Sequence, residues 1–142
     1  MDSLNGATLI KADGSKVEAD KALENKDLVL YYFSAHWCPP CRQFTPMLAD
    51  FYGEVSEELE IVFVSSDRSP EDMTSYMKKS HGDWCALEHN SALANGLKKT
   101  FRVQEIPTLV VVKRDGSVVT KNGRSHVMGK QPQEAVQGWK CK

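Results

Sequence analysis

The chain has 142 residues and a mass of 15.9 kDa, one domain's worth of polypeptide, with 41% hydrophobic and 26% charged residues. That balance excludes a disordered, collagen-like or low-complexity chain. Lys and Arg number 18 against 19 Asp and Glu, so the net charge of −1 lacks the basic excess of a nucleic-acid or anionic-membrane binder, and the longest apolar run, residues 28–33, is far too short to cross a bilayer.

Residues 1–25 read as an extension ahead of the domain core. Met1-Asp2-Ser3-Leu4-Asn5-Gly6 shows neither a basic segment followed by an apolar one nor an Arg-rich amphipathic pattern, so a cytosolic, or also nuclear, location is expected. Thr8-Leu9-Ile10 and Lys16-Val17-Glu18 flank Asp13-Gly14, a hairpin signal. Leu28-Val29-Leu30-Tyr31-Tyr32-Phe33 is continuously apolar, as a strand buried on both faces should be. Residues 34–37 then predict a loop.

From Cys38 the period changes to helical, with Phe44, Met47, Leu48, Phe51, Tyr52 and Val55 on one face. Pro39 and Pro40 fit its first turn, where their missing N–H groups have no helical partner in any case. Pro46 lies inside the pattern and predicts a kink. Glu54, Glu57, Glu58 and Glu60 read as solvated surface. Ile61-Val62-Phe63-Val64-Ser65 is a second buried strand. Ser69-Pro70-Glu71-Asp72 starts a helix with Ser69 as its N-cap, Met73, Tyr76 and Met77 facing inward as core packing, and an end near His81-Gly82. Trp84, Cys85 and Leu87 fall in a linking segment, and a short helix runs from Ser91 to Phe101. Residues 108–112 and 117–120 form a hairpin through Arg114-Asp115-Gly116, and Pro132 opens a last helix that turns Val136 and Trp139 inward. The order is a hairpin, then β, α, β, α, α, β, β, α. It predicts a single α/β domain over residues 1–142, with the hairpin extension in 1–25 and a core in 26–139. Its central mixed sheet is flanked by helices, paired in parallel by crossovers and closed by an antiparallel hairpin.

Four cysteines are present: Cys38, Cys41, Cys85 and Cys141. In a reducing compartment a Cys-x-x-Cys pair points to redox or metal chemistry rather than to a structural bridge. Trp37-Cys38-Pro39-Pro40-Cys41 sits where a buried strand hands over to a helix. The helix N-terminus supplies unpaired N–H groups and partial positive charge, and thiols in such a position can have pKa values lowered to about 3.5–7.5. Cys38, the outer sulfur, is the expected attacking nucleophile. Cys41, one turn inward, is the expected resolving thiol. Cys85 reads as a small buried hydrophobe and Cys141 as an exposed residue of the tail between Lys140 and Lys142. His36 reads as a solvent-facing loop residue, and Arg42 either attracts an anionic substrate or covers the helix surface.

The run from Tyr32 through Phe33-Ser34-Ala35-His36-Trp37-Cys38-Pro39-Pro40-Cys41 to Pro46 resembles the tryparedoxin and nucleoredoxin branch of the thioredoxin superfamily. The likeness extends through Ser65-Ser66-Asp67, Thr100-Phe101-Arg102-Val103 and Ile106-Pro107-Thr108. The resemblance implies a thioredoxin fold and a dithiol oxidoreductase that reduces protein or small-molecule disulfides without a cofactor. It also implies a cis Ile106–Pro107 bond facing the dithiol, with Trp37, Pro39, Pro40, Ile106 and Pro107 in contact with substrate. The expected partners are disulfide-bearing proteins and an upstream thiol reductant or reductase, with no nucleic acid or membrane, and the chain is expected to be a monomer. Thioredoxins usually carry an acidic residue where this chain has Tyr32. Tyr32 is therefore expected to pack under the pair, with Asp67 as a candidate acidic group nearby.

Three alternatives compete with this reading. Structural zinc wants a second close ligand pair, which Cys85 and Cys141 do not supply, so no metal is expected. The Pro-Thr-Cys context of a peroxidatic cysteine is absent. A redox-sensing module of the same fold, recruiting partners instead of turning over, remains the functional alternative.

Overall fold

Thr8–Ile10 (β1) and Lys16–Glu18 (β2) pair antiparallel in a computed structural model that describes residues 6–141. The reading of residues 1–5 as free of a targeting signal, and Lys142, lie outside the described residues. The turn between β1 and β2 puts Gly14 at φ 87°, a conformation side chains avoid, while Asp13 Oδ1 accepts from the Ser15 N–H. A single helical turn, Ala19–Ala22 (α1), follows.

Leu28–Ser34 (β3) is buried at every residue because its two faces meet two different cores. Leu28, Leu30 and Tyr32 pack with Phe44, Leu48, Phe51, Phe63, Tyr76 and Trp139 on one side. Val29, Tyr31 and Phe33 pack with Leu9, Val64, Leu97 and Phe101 on the other. This is the alternation a pleated strand imposes when neither face meets water. Pro39–Val55 (α2) follows, with Pro39 at its first position and Pro46 inside it. Leu59–Ser65 (β4) pairs parallel with β3, from Leu28↔Leu59 to Ser34↔Ser65. Glu60, expected in the solvated acidic run, is instead a half-buried residue of β4, its Oε1 accepting from the Tyr52 hydroxyl at 2.8 Å and the Ile61 N–H at 3.0 Å.

Pro70–Ser80 (α3) starts where Ser69 Oγ accepts the Asp72 N–H. It ends before His81, whose Nδ1 accepts the Trp84 indole N–H at 2.9 Å. Cys85–Ala86 (β5) follows, and a linking segment was expected there. Two residues are too few to show a strand period, yet β5 pairs parallel with β4 and antiparallel with β1, joining the hairpin to the sheet. Ala92–Thr100 (α4), capped by Ser91, covers the second core.

Thr108–Lys113 (β6) corrects the expectation of parallel pairing. It runs antiparallel to β3, with Phe33↔Thr108 and Leu28↔Lys113 in register. The segment after β5 carries only the nine residues of α4 and returns to the end of the sheet it left, so β6 starts beside the C-terminus of β3. Val118–Thr120 (β7) closes the sheet, whose order is β2-β1-β5-β4-β3-β6-β7. An unexpected helix, Gly123–Gly129 (α5), precedes Pro132–Lys140 (α6). It opens on glycine because a Cβ at Gly123 would stand 2.9 Å from the Leu109 carbonyl oxygen. Trp139 on α6 donates its indole N–H to His126 Nδ1 of α5 at 2.8 Å, tying the two helices together.

Candidate active site

The antiparallel register of β3 and β6 creates the site. Cys38 follows the end of β3 and Ile106-Pro107 precedes the start of β6, so two segments distant in sequence meet at one edge. Cys38 is the N-cap of α2 in an extended conformation, and its carbonyl accepts the Arg42 N–H at 3.1 Å. The residue is 5% exposed, and its sulfur donates to the Ile106 carbonyl oxygen at 3.7 Å. The Ile106–Pro107 peptide is cis. Cys41 is fully buried one turn further in, and both thiols are free. Trp37 is 49% exposed and anchored by its indole N–H to the Ser66 carbonyl at 2.9 Å, while Pro39 and Pro40 are exposed beside it.

The loop carrying Trp37 is pinned from β4. Asp67 is buried; its Oδ1 accepts the His36 N–H at 2.7 Å and its Oδ2 the Ser65 hydroxyl at 2.6 Å. Oδ1 holds the loop and Oδ2 ties the carboxylate to the end of β4, so Asp67 positions the segment that carries Trp37. His36 is not a free surface residue either: its ring lies on that of Tyr76 with centroids 5.1 Å apart and planes 17° from parallel. Arg42 donates from Nη1 to the His36 carbonyl at 3.0 Å.

Beneath Cys41 lies a set of hydroxyls. Thr45 Oγ1 donates to the Cys41 carbonyl at 2.8 Å, so its single proton is committed. The Tyr32 hydroxyl at 2.6 Å and the Tyr76 hydroxyl at 2.5 Å must then both donate to that oxygen. With the Tyr76 proton used, Ser34 Oγ, 2.7 Å away, donates to Tyr76. Ser34 stands beside the Cys41 sulfur, where its hydroxyl favours the thiolate over the thiol. Burial pushes the Cys41 thiol up to about 11, assisted by its hydrogen bond with Cys38, while the Ser34 hydroxyl and the Ala35 backbone pull the other way. Burial also raises the Tyr32 phenol, so Tyr32 packs and hydrogen-bonds here and holds no charge.

Ser34, Thr45 and Tyr76 are the residues the sequence reading missed. Ser34 stands two positions beyond Tyr32 on a strand, and Thr45 four beyond Cys41 on a helix, so periodicity put both beside the resolving thiol. Tyr76 approaches from α3, a long-range contact that no local pattern marks. The remaining cysteines lie elsewhere: Cys85 is buried on β5, where burial pushes its thiol up to about 11, and Cys141 is exposed. Among the described residues no three His, Cys, Asp or Glu side chains converge to hold a metal, and no helix is long and apolar enough to cross a membrane.

A free thiol pair at a strand-to-helix junction, the outer sulfur against a carbonyl and the inner one buried over hydroxyls, defines a dithiol protein of thioredoxin fold. The chain belongs to the thioredoxin-like family, whose model matches residues 25–118. It is 39% identical to mouse nucleoredoxin over 124 residues, 84% of this chain but only 28% of that protein. The chain thus spans little more than a quarter of that relative. It is 38% identical over 129 residues to tryparedoxin of Trypanosoma brucei brucei, covering 88% of this chain and 87% of the other. The crystal structure of thioredoxin from Wuchereria bancrofti superposes with a TM-score of 0.85 at 50% identity, over 97% of this chain and 96% of that one.

Proposed function

We propose that this protein reduces disulfides of proteins or small molecules, with Cys38 attacking and Cys41 resolving. The observation that carries the reading is the pairing of Cys38 Sγ with the Ile106 carbonyl, directly above a fully buried Cys41. A substrate RS–SR presents one sulfur to the Cys38 thiolate. The Cys38–S bond forms as the S–S bond breaks, and RS⁻ leaves. The Cys41 sulfur then attacks Cys38 of the mixed disulfide, and the second RS group departs with the proton that Cys41 gives up. The substrate gains two electrons as two thiols, and the protein ends as the Cys38–Cys41 disulfide, which an external thiol reductant or reductase reopens.

The hydroxyls serve the second step. As Cys41 loses its proton, Ser34 can turn its own toward the sulfur, and the thiolate gains a hydrogen bond in a buried site. The Ile106 backbone beside Cys38 offers an extended substrate segment main-chain hydrogen bonds, while Trp37, Pro39, Pro40 and Pro107 provide apolar contact. On this reading the protein needs no cofactor or metal, acts as a monomer in the cytosol or nucleus, and takes neither nucleic acid nor membrane as a partner.

Insulin reduction in the presence of dithiothreitol tests the proposal. The wild type should turn over many times, Cys38→Ser should be inactive, and Cys41→Ser should accumulate a mixed disulfide through Cys38. A single exchange followed by stable association with the partner would instead favour the sensing module. Equal trapping by both variants would reverse or remove the assignment of the two sulfurs.

A further inference from the structure

Beside Cys38 lies a cleft of about 210 Å³ lined by His36, Trp37, Arg42, Asp67, Arg68 and Asp72. Trp37, the residue before Cys38, is exposed and lines the cleft, so a substrate held at Cys38 has this cleft on one flank. Its lining carries two arginines and two aspartates, and Lys98 behind Asp67 tips the local balance to positive. Both oxygens of Asp67 are occupied, by the His36 N–H and the Ser65 hydroxyl, and Lys98 stands close behind with Nζ 3.1 Å from the Ser65 carbonyl and its charge acting on Asp67. Arg42 and Arg68 are both exposed. Arg42 uses Nη1 on the His36 carbonyl and keeps its other N–H groups, and Arg68 places its guanidinium 6.0 Å from the centroid of the Trp37 ring. The first turn of α2 holds no acidic residue, so its partial positive end is not offset by its own side chains. Asp72 is the one carboxylate lining the cleft that is left against two arginines. The chain as a whole carries −1, so this excess is local to the site.

We propose that this cleft selects disulfides flanked by carboxylates, of the small-peptide class to which oxidised glutathione belongs, and that Arg68 is its specificity-determining residue. The inference rests on the reductase reading given above and names the substrate class of that site. A guanidinium offers a planar fork of N–H donors that matches a carboxylate, and that of Arg68 stands over Trp37, the residue before Cys38. A disulfide flanked by ammonium groups meets the same two arginines as repulsion.

Three disulfides differing in charge test this: oxidised glutathione, neutral 2-hydroxyethyl disulfide and dicationic cystamine. For each, kcat/KM is divided by that for the neutral probe, which removes any change in the chemistry common to all three. Arg68→Glu should lower the glutathione ratio about tenfold and raise the cystamine ratio, with Arg68→Gln intermediate. Added salt should compress the wild-type ratios. Lys16→Glu on β2, the same charge change at the far edge of the sheet, should move neither ratio. Ratios unchanged in Arg68→Glu, or shifted equally by Lys16→Glu, would overturn the proposal. Trp37 fluorescence titrated with S-methylglutathione, which keeps the carboxylates but has no reactive sulfur, separates the two readings. Binding weakened by Arg68→Glu in a protein that reduces none of the disulfides would support the anion cleft and remove the reductase activity. No binding together with unchanged ratios would remove the cleft and leave the reductase.

Discussion

Tyr76 sets its hydroxyl 2.5 Å from Thr45 Oγ1 and 2.7 Å from Ser34 Oγ, so one side chain of α3 closes the floor under a thiol carried by α2. Tyr76→Phe removes both bonds and leaves Ser34 without its buried acceptor. It should cost about 1–3 kcal/mol in urea unfolding. It should also slow resolution, seen as a longer-lived mixed disulfide in rapid-quench experiments. Tyr32→Phe removes a bond to an oxygen that Tyr76 still serves, so it should retain most of the reductase rate. A Tyr32→Phe enzyme slowed as much as Tyr76→Phe would contradict this order of importance.

Ser34→Ala tests the hydroxyl nearest the resolving sulfur. Ser34 favours the Cys41 thiolate, so its loss should move a thiol already at about 11 further up. A hydrogen bond to a charged group is worth roughly 1.5–3 kcal/mol, so the resolving step should slow by about tenfold or more. The attack of Cys38 on substrate should be unaffected. Iodoacetamide alkylation of Cys41 against pH in a Cys38→Ser background checks the direction. A downward shift would refute the assigned donor.

His81 gives the fold an acid limit. Trp84 donates to its Nδ1, which places the imidazole proton on Nε2, a buried nitrogen with no hydrogen bond. The Phe63 and Tyr76 rings stand edge-on with centroids 4.4 Å away. Burial, with the neighbouring His36, holds the pKa down from 6.5 to about 3. The unfolded chain therefore binds a proton that the native one refuses. Stability is full above 6.5 and is lost as pH falls from there towards 3, by roughly 1.4 kcal/mol per pH unit. Denaturant titrations at pH 7.5, 6 and 5 should show this slope in the wild type and a flatter one in His81→Asn. Equal slopes would exclude His81 as its source.

Glu60 acts in the opposite direction. Burial raises its carboxyl pKa above 4.5, against the pull of Tyr52 and the Ile61 N–H. The native state then holds the proton more tightly than the unfolded one. The stability this adds is complete below 4.5 and disappears as pH rises through the folded pKa. Glu60→Gln, whose Oε1 can accept the same two hydrogen bonds, should raise the melting temperature at pH 7 and bring no gain at pH 4. A destabilised Glu60→Gln at pH 7 would show that the carboxylate is the preferred form.

How much of this was legible depends on the range of each interaction. The run of residues 28–33 and the period beginning at Cys38 are local signals, so β3, α2 and the dithiol at their junction stood out from the sequence. Ser69 announced α3 through a cap three residues long, and its Oγ does accept the Asp72 N–H. β5 is too short for a period, and α5 opens on Gly123 without a side-chain cap, so both lacked a sequence signal. The direction of β6 depends on which end of the sheet the chain reaches after α4, and the role of Tyr76 depends on α3 packing over α2. Glu60 looked like its solvated neighbours because Tyr52, eight positions away on α2, is the partner that draws it in.

The three tryptophans divide into two kinds of reporter. Trp84 and Trp139 are buried, each with its indole N–H held by a histidine nitrogen, whereas Trp37 stands in water beside Cys38. Emission from the first two follows the integrity of the packed interior. Half-exposed Trp37 should emit at the red edge and respond to aqueous quenchers, and so report what occupies the thiol. One fluorescence spectrum, resolved by wavelength and by quenching, therefore distinguishes a molecule that has engaged its disulfide from one that has begun to unfold, without any label.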